Sequence, residues 1–328
     1  MNDRDIVRMI SAIIGSSNTE DDCAVFPHGN EYLTATTDML HEKTDFPKGM
    51  TDRQIGWMSA AVTLSDLAST GSRPLFLLLA AGLDGTGTER IEEITRGADD
   101  CCRKFGAKLA GGDIDSHDEL TIVTTGIGAV SPDRYVSRKA KPERPMRAGD
   151  IVCVCGNLGV AQRGLKDYYE SSAANKMADT AAFKALCEPQ PKVFEGQILG
   201  KTGVLSMMDI SDGLSLSLHD LAEQNGCGFS IDKDLITVDD AAGIDFETAF
   251  CGAGDFGLLY VCSPETYEKI HAEESLKAAC EELFGETGAG KIASSLSLGY
   301  KIGVVTDEKG VFVNGKIAEN RGYLHSWE

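Results

Sequence analysis

Met208-Asp209-Ile210-Ser211-Asp212-Gly213-Leu214 places two carboxylates and a hydroxyl between an apolar approach (Val204, Leu205, Met207) and a leucine stripe (Leu214, Leu216, Leu218, Leu221). That order reads as a strand, a turn and a helix N-terminus. It puts Asp209, Ser211 and Asp212 where carboxylates and exposed backbone N–H groups can share a metal-bound phosphate. Ser-Asp-Gly before a leucine stripe is equally an ordinary turn and N-cap. Repetition favours the first reading, because Asp21-Asp22, Thr36-Thr37-Asp38, Ser65-Asp66 and Gly111-Gly112-Asp113 are four more acidic turns, each beside an apolar run.

Outward from this stretch, helices and strands are interleaved along both halves of the chain. Residues 3–14 repeat apolar side chains at helical spacing, 31–37 read as a strand ending at Asp38, and 51–70 read as a helix that Thr51 can cap. Asp66 falls near the end of that helix, turned inward by the flanking Leu64 and Leu67. A buried strand over 75–83, a helix over 89–105 and a strand over 119–130 complete the first half. Six basic side chains then crowd into 134–147, which reads as a solvated linker or as a cationic flap over phosphates. A new strand opens at Ile151, so the boundary between an N-terminal domain (1–148) and a C-terminal domain (149–328) is expected near 148. The second half predicts helices at 157–165, 179–187, 192–200 and up to about 225, strands at 228–231 and 258–262, a long helix over 264–284, and closing strands near 301–306 and 310–314. The expected class is α/β, or α+β, with two cores.

The net charge of −20 argues against nucleic acid as a partner and suits divalent cations. No apolar run is long enough for a membrane span, and Met1-Asn2-Asp3-Arg4 begins no signal peptide, so the expected location is the cytoplasm. Ten cysteines without a CxxC pair read as buried thiols. Three apparent motifs fail their context. Gly252-Ala253-Gly254-Asp255-Phe256-Gly257 fits GxGxxG but runs into a strand-like Leu258-Leu259-Tyr260-Val261. Its embedded Asp-Phe-Gly lacks a His-Arg-Asp elsewhere. Gly285 to Lys291 has Walker A spacing, but Ile292 stands where a hydroxyl should hold Mg²⁺. No nucleophile elbow or histidine ligand pair is present.

Taken together, the acidic turns and their flanks resemble the thiamine-monophosphate kinases, in the superfamily that includes aminoimidazole ribonucleotide synthetase, selenophosphate synthetase and the hydrogenase-maturation dehydratase. The resemblance is carried by Asp21-Asp22-Cys23-Ala24-Val25, Thr37-Asp38-Met39-Leu40 with Phe46-Pro47, Ile55-Gly56-Trp57, Leu64-Ser65-Asp66-Leu67-Ala68, Gly111-Gly112-Asp113, Ala148-Gly149-Asp150 and Asp209 to Leu214. It implies a two-domain aminoimidazole ribonucleotide synthetase-like fold, with the N-terminal sheet pairing across a homodimer. It also implies transfer of the ATP γ-phosphoryl group to thiamine monophosphate. By family position, Asp22, Asp38, Asp66, Asp113, Asp209 and Asp212 would hold several Mg²⁺ ions, with Thr36 and Thr37 assisting. Gly112, Asp113, Ser211 and an arginine, here taken as Arg144, would meet ATP. Two phosphate-bearing anions can be brought into line only where metal ions neutralise them, and no protein nucleophile is then needed.

The acceptor end departs from the family pattern. Asp45-Phe46 stands for His-Phe, and Gly254 replaces the usual glutamate of Gly-Glu-Asp-Tyr-Glu-Leu. Asp45, Gly254 and Tyr323 are the expected acceptor contacts, with Glu42 as a substitute carboxylate. Two alternatives follow: another phosphotransferase or ligase of the superfamily with a different small-molecule acceptor, or a non-catalytic ATP-binding regulator. The second is disfavoured because carboxylates without a metal repel one another.

Overall fold

The helix expected from Thr51 onward is α2 (Asp52–Ser69), and apolar or small side chains surround it on nearly every side. Thr51 and Gln54 close a reciprocal capping box at its start. In this computed structural model, which describes residues 3–15, 20–85, 87–173, 178–293 and 296–325 apart from the side chains of 240 and 286–293, α2 is the piece both halves share. Ser16-Ser17-Asn18, which with Gly15 makes a natural stop after the apolar repeat of 3–14, lies outside the described residues.

On one side of α2 lies a five-stranded sheet made of β1 (Ala24–His28), β2 (Glu31–His41), β3 (Arg73–Leu83), β4 (Lys108–Ser116) and β5 (Thr121–Val130), in the order β1-β2-β5-β3-β4. Only the β3–β4 pair is parallel, because α3 (Thr88–Lys104) carries the chain between them. The fit of α2 to the sheet depends on glycine: a Cβ at Gly126 of β5 would come within 2.6 Å of Thr63. Helix α1 (Asp3–Ile14) lies outside this sheet and keeps Met9 and Ile13 exposed.

The second half forms a seven-stranded sheet from β6 (Ile151–Cys155), β7 (Ser206–Ile210), β8 (Gly228–Ile231), β9 (Gly257–Cys262), β10 (Tyr300–Thr306), β11 (Gly310–Val313) and β12 (Lys316–Ile317), ordered β12-β11-β8-β10-β6-β9-β7. Its helices are α4 (Val160–Ala173), α5 (Ala181–Cys187), α6 (Val193–Thr202), α7 (Leu214–Asn225), α8 (Phe246–Cys251), α9 (Pro264–His271) and α10 (Glu273–Ala293). Of the two classes expected, the pairing is that of α+β, since only β8 and β11 of this sheet pair in parallel. The single long helix expected from 264 is two, divided at Ala272. Helix α8 was not anticipated. It is six residues long, too short for periodicity to register, and is held by Asp245 accepting the Thr248 N–H at 2.8 Å.

This sheet is covered on both faces, which is why Ile151–Cys155 is uninterruptedly apolar. Cys153 and Cys155 face the core that contains α2, whereas Val152 and Val154 face a second core with Leu214, Leu218 and Leu221 of α7. Helix α6 meets α2 so closely that a Cβ on Gly196 would stand 2.1 Å from the Ala68 carbonyl oxygen. The Trp57 Nε1–H also crosses from α2 to the second half, donating to the Pro189 carbonyl at 2.8 Å.

Candidate metal and nucleotide site

Four chain segments converge where the first sheet, α2 and the edge of the second sheet meet. On β7 the alternation that sends Met208 and Ile210 into the far core turns Met207 and Asp209 toward α2. On β2 the same alternation turns Thr34, Thr36 and Asp38 toward α2 and leaves Thr37 and Met39 outside. Asp66 projects from α2 between them, and Asp22 enters from the turn before β1. Carboxylate oxygens of Asp22, Asp66 and Asp209 all lie within 4.8 Å of one another.

Each carboxylate is steadied by a neighbour. Thr36 donates its hydroxyl to Asp66 at 2.5 Å, Ser65 to Asp209 at 2.8 Å, and Thr63 to Asp38 at 2.7 Å. Arg138 Nε donates to Asp22 Oδ1 at 2.9 Å, and its Nη2 reaches the same oxygen. The other oxygen of Asp22 is buried without a hydrogen-bond partner, although only 1% of the side chain is exposed. A buried, orphaned carboxylate oxygen beside two further carboxylates is the donor set that a hard divalent cation satisfies.

The electrostatics agree. Burial pushes the Asp209 carboxyl up to about 8, with the neighbouring Asp22 adding to the effect. Burial also raises Asp38 to about 6, against the opposing hydrogen bond from Thr63. Asp66 is driven well above the ordinary carboxylate range by burial and then by Asp38, Asp209 and Asp22. For Arg138, burial opposes the charge, but Asp22 and then Asp209 hold the guanidinium above its usual value. One positive charge is therefore already paired with a group that carries an excess of negative charge.

A cleft of about 510 Å³ opens beside this group, lined by Arg4, Glu20, Arg138, Ser211, Asp212 and Asp220 among others. The 211–213 turn forms part of its wall. Gly213 has φ +108°, and a Cβ there would meet the Cys251 carbonyl oxygen at 2.7 Å. Arg4 of α1 stands with Nη2 at 3.9 Å from Asp212 and also pairs with Asp220. Gly254 and Tyr323 border the same turn, their backbone N–H groups donating to Ser211 and Asp212 carbonyls at 2.7 and 3.0 Å.

Several expected site residues are placed elsewhere. Thr37 points away from α2 and donates to the Thr124 carbonyl at 3.1 Å, as strand alternation requires. Asp113 and Gly112 lie on the exposed edge strand β4, apart from the three-carboxylate group. Gly112 is obligatory there, since a Cβ would fall 1.6 Å from the Leu79 carbonyl oxygen. Arg144, the arginine expected to meet ATP, is not brought to the carboxylates: its Nη2 donates to the Gly203 carbonyl at 2.9 Å, and the arginine that pairs with Asp22 is Arg138. Asp45 closes its own turn, accepting from the His41 N–H and the Thr44 hydroxyl, each at 2.9 Å. Glu42 is paired with Arg90 at 2.7 Å. Arg138 was hidden among six basic residues. The one sequence signal for it is Val136, an apolar residue in a charged segment, which is buried and draws that segment inward.

Both halves match known families: residues 20–130 the AIR synthase related protein N-terminal domain, and residues 147–316 the corresponding C-terminal domain. Fold and site thus define a two-domain protein of the AIR synthase-related class. Within that class, the chain is 40% identical to the thiamine-monophosphate kinase of Methanospirillum hungatei over the whole of both chains. It is 35% identical to that of Halobacterium salinarum over 83% of this chain and 88% of the relative. The chain belongs to the thiamine-monophosphate kinase family. Among solved structures, AaThiL complexed with AMPPCP and TMP shares the fold with a TM-score of 0.82 at 23% identity, over 99% of this chain and 97% of that one. The Stenotrophomonas maltophilia thiamine-monophosphate kinase matches with a TM-score of 0.74 at 25% identity, over 95% and 96%.

Proposed function

We propose that the chain transfers the γ-phosphoryl group of ATP to the phosphate of thiamine monophosphate, giving thiamine diphosphate and ADP. The observation that carries this reading is the Asp22–Asp66–Asp209 group with its orphaned oxygen, at the edge of a cleft, in a chain of this family. Asp22, Asp66 and Asp209, with Asp38 beside them and Asp212 on the cleft wall, would hold Mg²⁺. Bound there, Mg²⁺ supplies the charge neutralisation that lets two phosphate groups approach. Thr36, Thr63 and Ser65 keep the carboxylates oriented, so little reorganisation accompanies binding. Arg138 faces the cleft with a fixed positive charge for the nucleotide phosphates, and the Ser211 turn offers hydroxyl and backbone donors. Gly254 and Tyr323, at the same turn, are proposed to flank the acceptor.

The protein is proposed to act in the cytoplasm as a homodimer. Phe26, Met39 and Leu78 are exposed on one face of the first sheet, and β4, which also exposes Ile114, is an open edge. A second copy covering that face would also bring Asp113 and Gly112 out of solvent. The deciding experiment follows ADP and thiamine diphosphate together from Mg-ATP with and without thiamine monophosphate. Stoichiometric formation of both products is expected. ATP turnover without thiamine diphosphate would overturn the acceptor, and Mg-ATP binding without turnover would overturn catalysis.

A further inference from the structure

Next to the metal-ligand candidates lies a carboxylate that the phosphoryl-transfer reading leaves unused. Asp21 is half-buried beside Asp22 but does not belong to the three-carboxylate group. Its oxygens are instead fully engaged by groups from two chain segments. Oδ2 accepts the Tyr135 hydroxyl at 2.5 Å, while Oδ1 accepts the Asp22 N–H at 3.0 Å and the Arg138 N–H at 3.3 Å. The two backbone groups gathered on Oδ1 belong to the two residues whose side chains form the buried ion pair, Asp22 and Arg138. Tyr135 is itself held edge-on against Tyr32 of β2, with ring centroids 5.7 Å apart and planes at 82°. The phenol is therefore anchored to the first sheet, and through Asp21 it sets the loop that carries Arg138 relative to the turn that carries Asp22.

We infer that Tyr135 and Asp21 form a positioning pair that holds the Arg138 guanidinium against Asp22 and toward the cleft. The inference rests on the proposed Mg-ATP site. Neither residue touches the reacting atoms. Both act on how well Arg138 and Asp22 are placed before nucleotide arrives, so their loss removes ground-state binding and leaves the transfer step itself unchanged. The hydrogen bond from Tyr135 is made to a half-buried carboxylate, and a bond to a charged group is the kind whose removal changes an equilibrium constant by about tenfold.

The test uses Tyr135→Phe, Asp21→Asn and the double variant in the full-length protein, with Mg-ATP as the varied substrate. A Mg-loaded non-hydrolysable ATP analogue, titrated in parallel, measures binding independently of turnover. The expected result is a KM for Mg-ATP and a Kd for the analogue raised about tenfold in each single variant, kcat within about twofold of the parent, and a double variant no worse than either single one. An unchanged Kd in both single variants would overturn the inference, as would a fall in kcat at constant KM. Penalties that simply add in the double variant would overturn it too. Asp21→Asn keeps one oxygen, for the two N–H groups that meet on Oδ1, and turns its NH2 toward the Tyr135 hydroxyl, so it removes the charged acceptor with little change of size and reports on the pair even if the phenylalanine variant fails to fold. If the parent makes no thiamine diphosphate, the acceptor reading fails while the analogue titration still decides this inference.

Discussion

At the scale of single residues, the group of acids is built to be uncomfortable without a cation. Asp209 titrates near 8 in the folded chain against an ordinary 3.8, so between those values the native state keeps a proton that the unfolded state has lost. Stability of the metal-free protein should therefore fall as pH rises from about 4 to about 8. Mg²⁺ takes only the deprotonated carboxylates, so the rise in Tm on adding Mg²⁺ should be larger at pH 8 than at pH 6 by differential scanning calorimetry. Asp209→Asn removes one charge and keeps an oxygen for Ser65. Its metal-free Tm should be higher than the parent's, while kcat drops by about 10²–10³, the scale of deleting one preorganised electrostatic contact. A variant that lost neither kcat nor its Mg²⁺ response would show that Asp209 holds no metal. These aspartates were legible in the sequence because acid after an apolar run recurred five times. Arg138 was not, because six neighbouring cations look alike until the fold chooses which one to bury.

At the scale of elements, the expectation that Thr36 and Thr37 act together overlooked the strand period of β2, which places Thr36 and Asp38 on one face and Thr37 on the other and was readable from the sequence. Glycine positions in helices were not, because their meaning depends on what crosses them. Gly56 of α2 and Gly97 of α3 mark the closest approach of these two helices: a Cβ on Gly56 would stand 1.8 Å from the Ile94 carbonyl oxygen, and one on Gly97 1.8 Å from that of Arg53. Gly97→Ala should destabilise the protein by about 1–3 kcal/mol in urea unfolding, the range for overpacking a close contact, despite alanine's better helix propensity. Gly87→Ala, at the N-cap of α3 with nothing within 4 Å, serves as the control and should lose only glycine's preference for that position, about 0.5 kcal/mol. Equal effects of the two would mean that α2 and α3 can move apart freely.

At the scale of the whole molecule, the interleaving of strands and helices in both halves followed from the order of apolar runs. The pairing did not, because long-range antiparallel partners such as β6 and β9 are set by which faces must be covered, not by their neighbours in sequence. Helix α2 gives this architecture a further property. It belongs by sequence to the first half, yet α6 and β7 of the second half lie against it, so the segment joining the halves transmits little of what holds them together. Pro142, Glu143, Arg144 and Pro145 are exposed, and the backbone could be interrupted there. Residues 1–143 and 144–328 produced as two separate polypeptides should reassemble into one stable, Mg-responsive particle on size-exclusion chromatography. The first fragment made alone should aggregate, its central helix bare along one side. A gene for this protein could accordingly be split in two and still encode one working molecule.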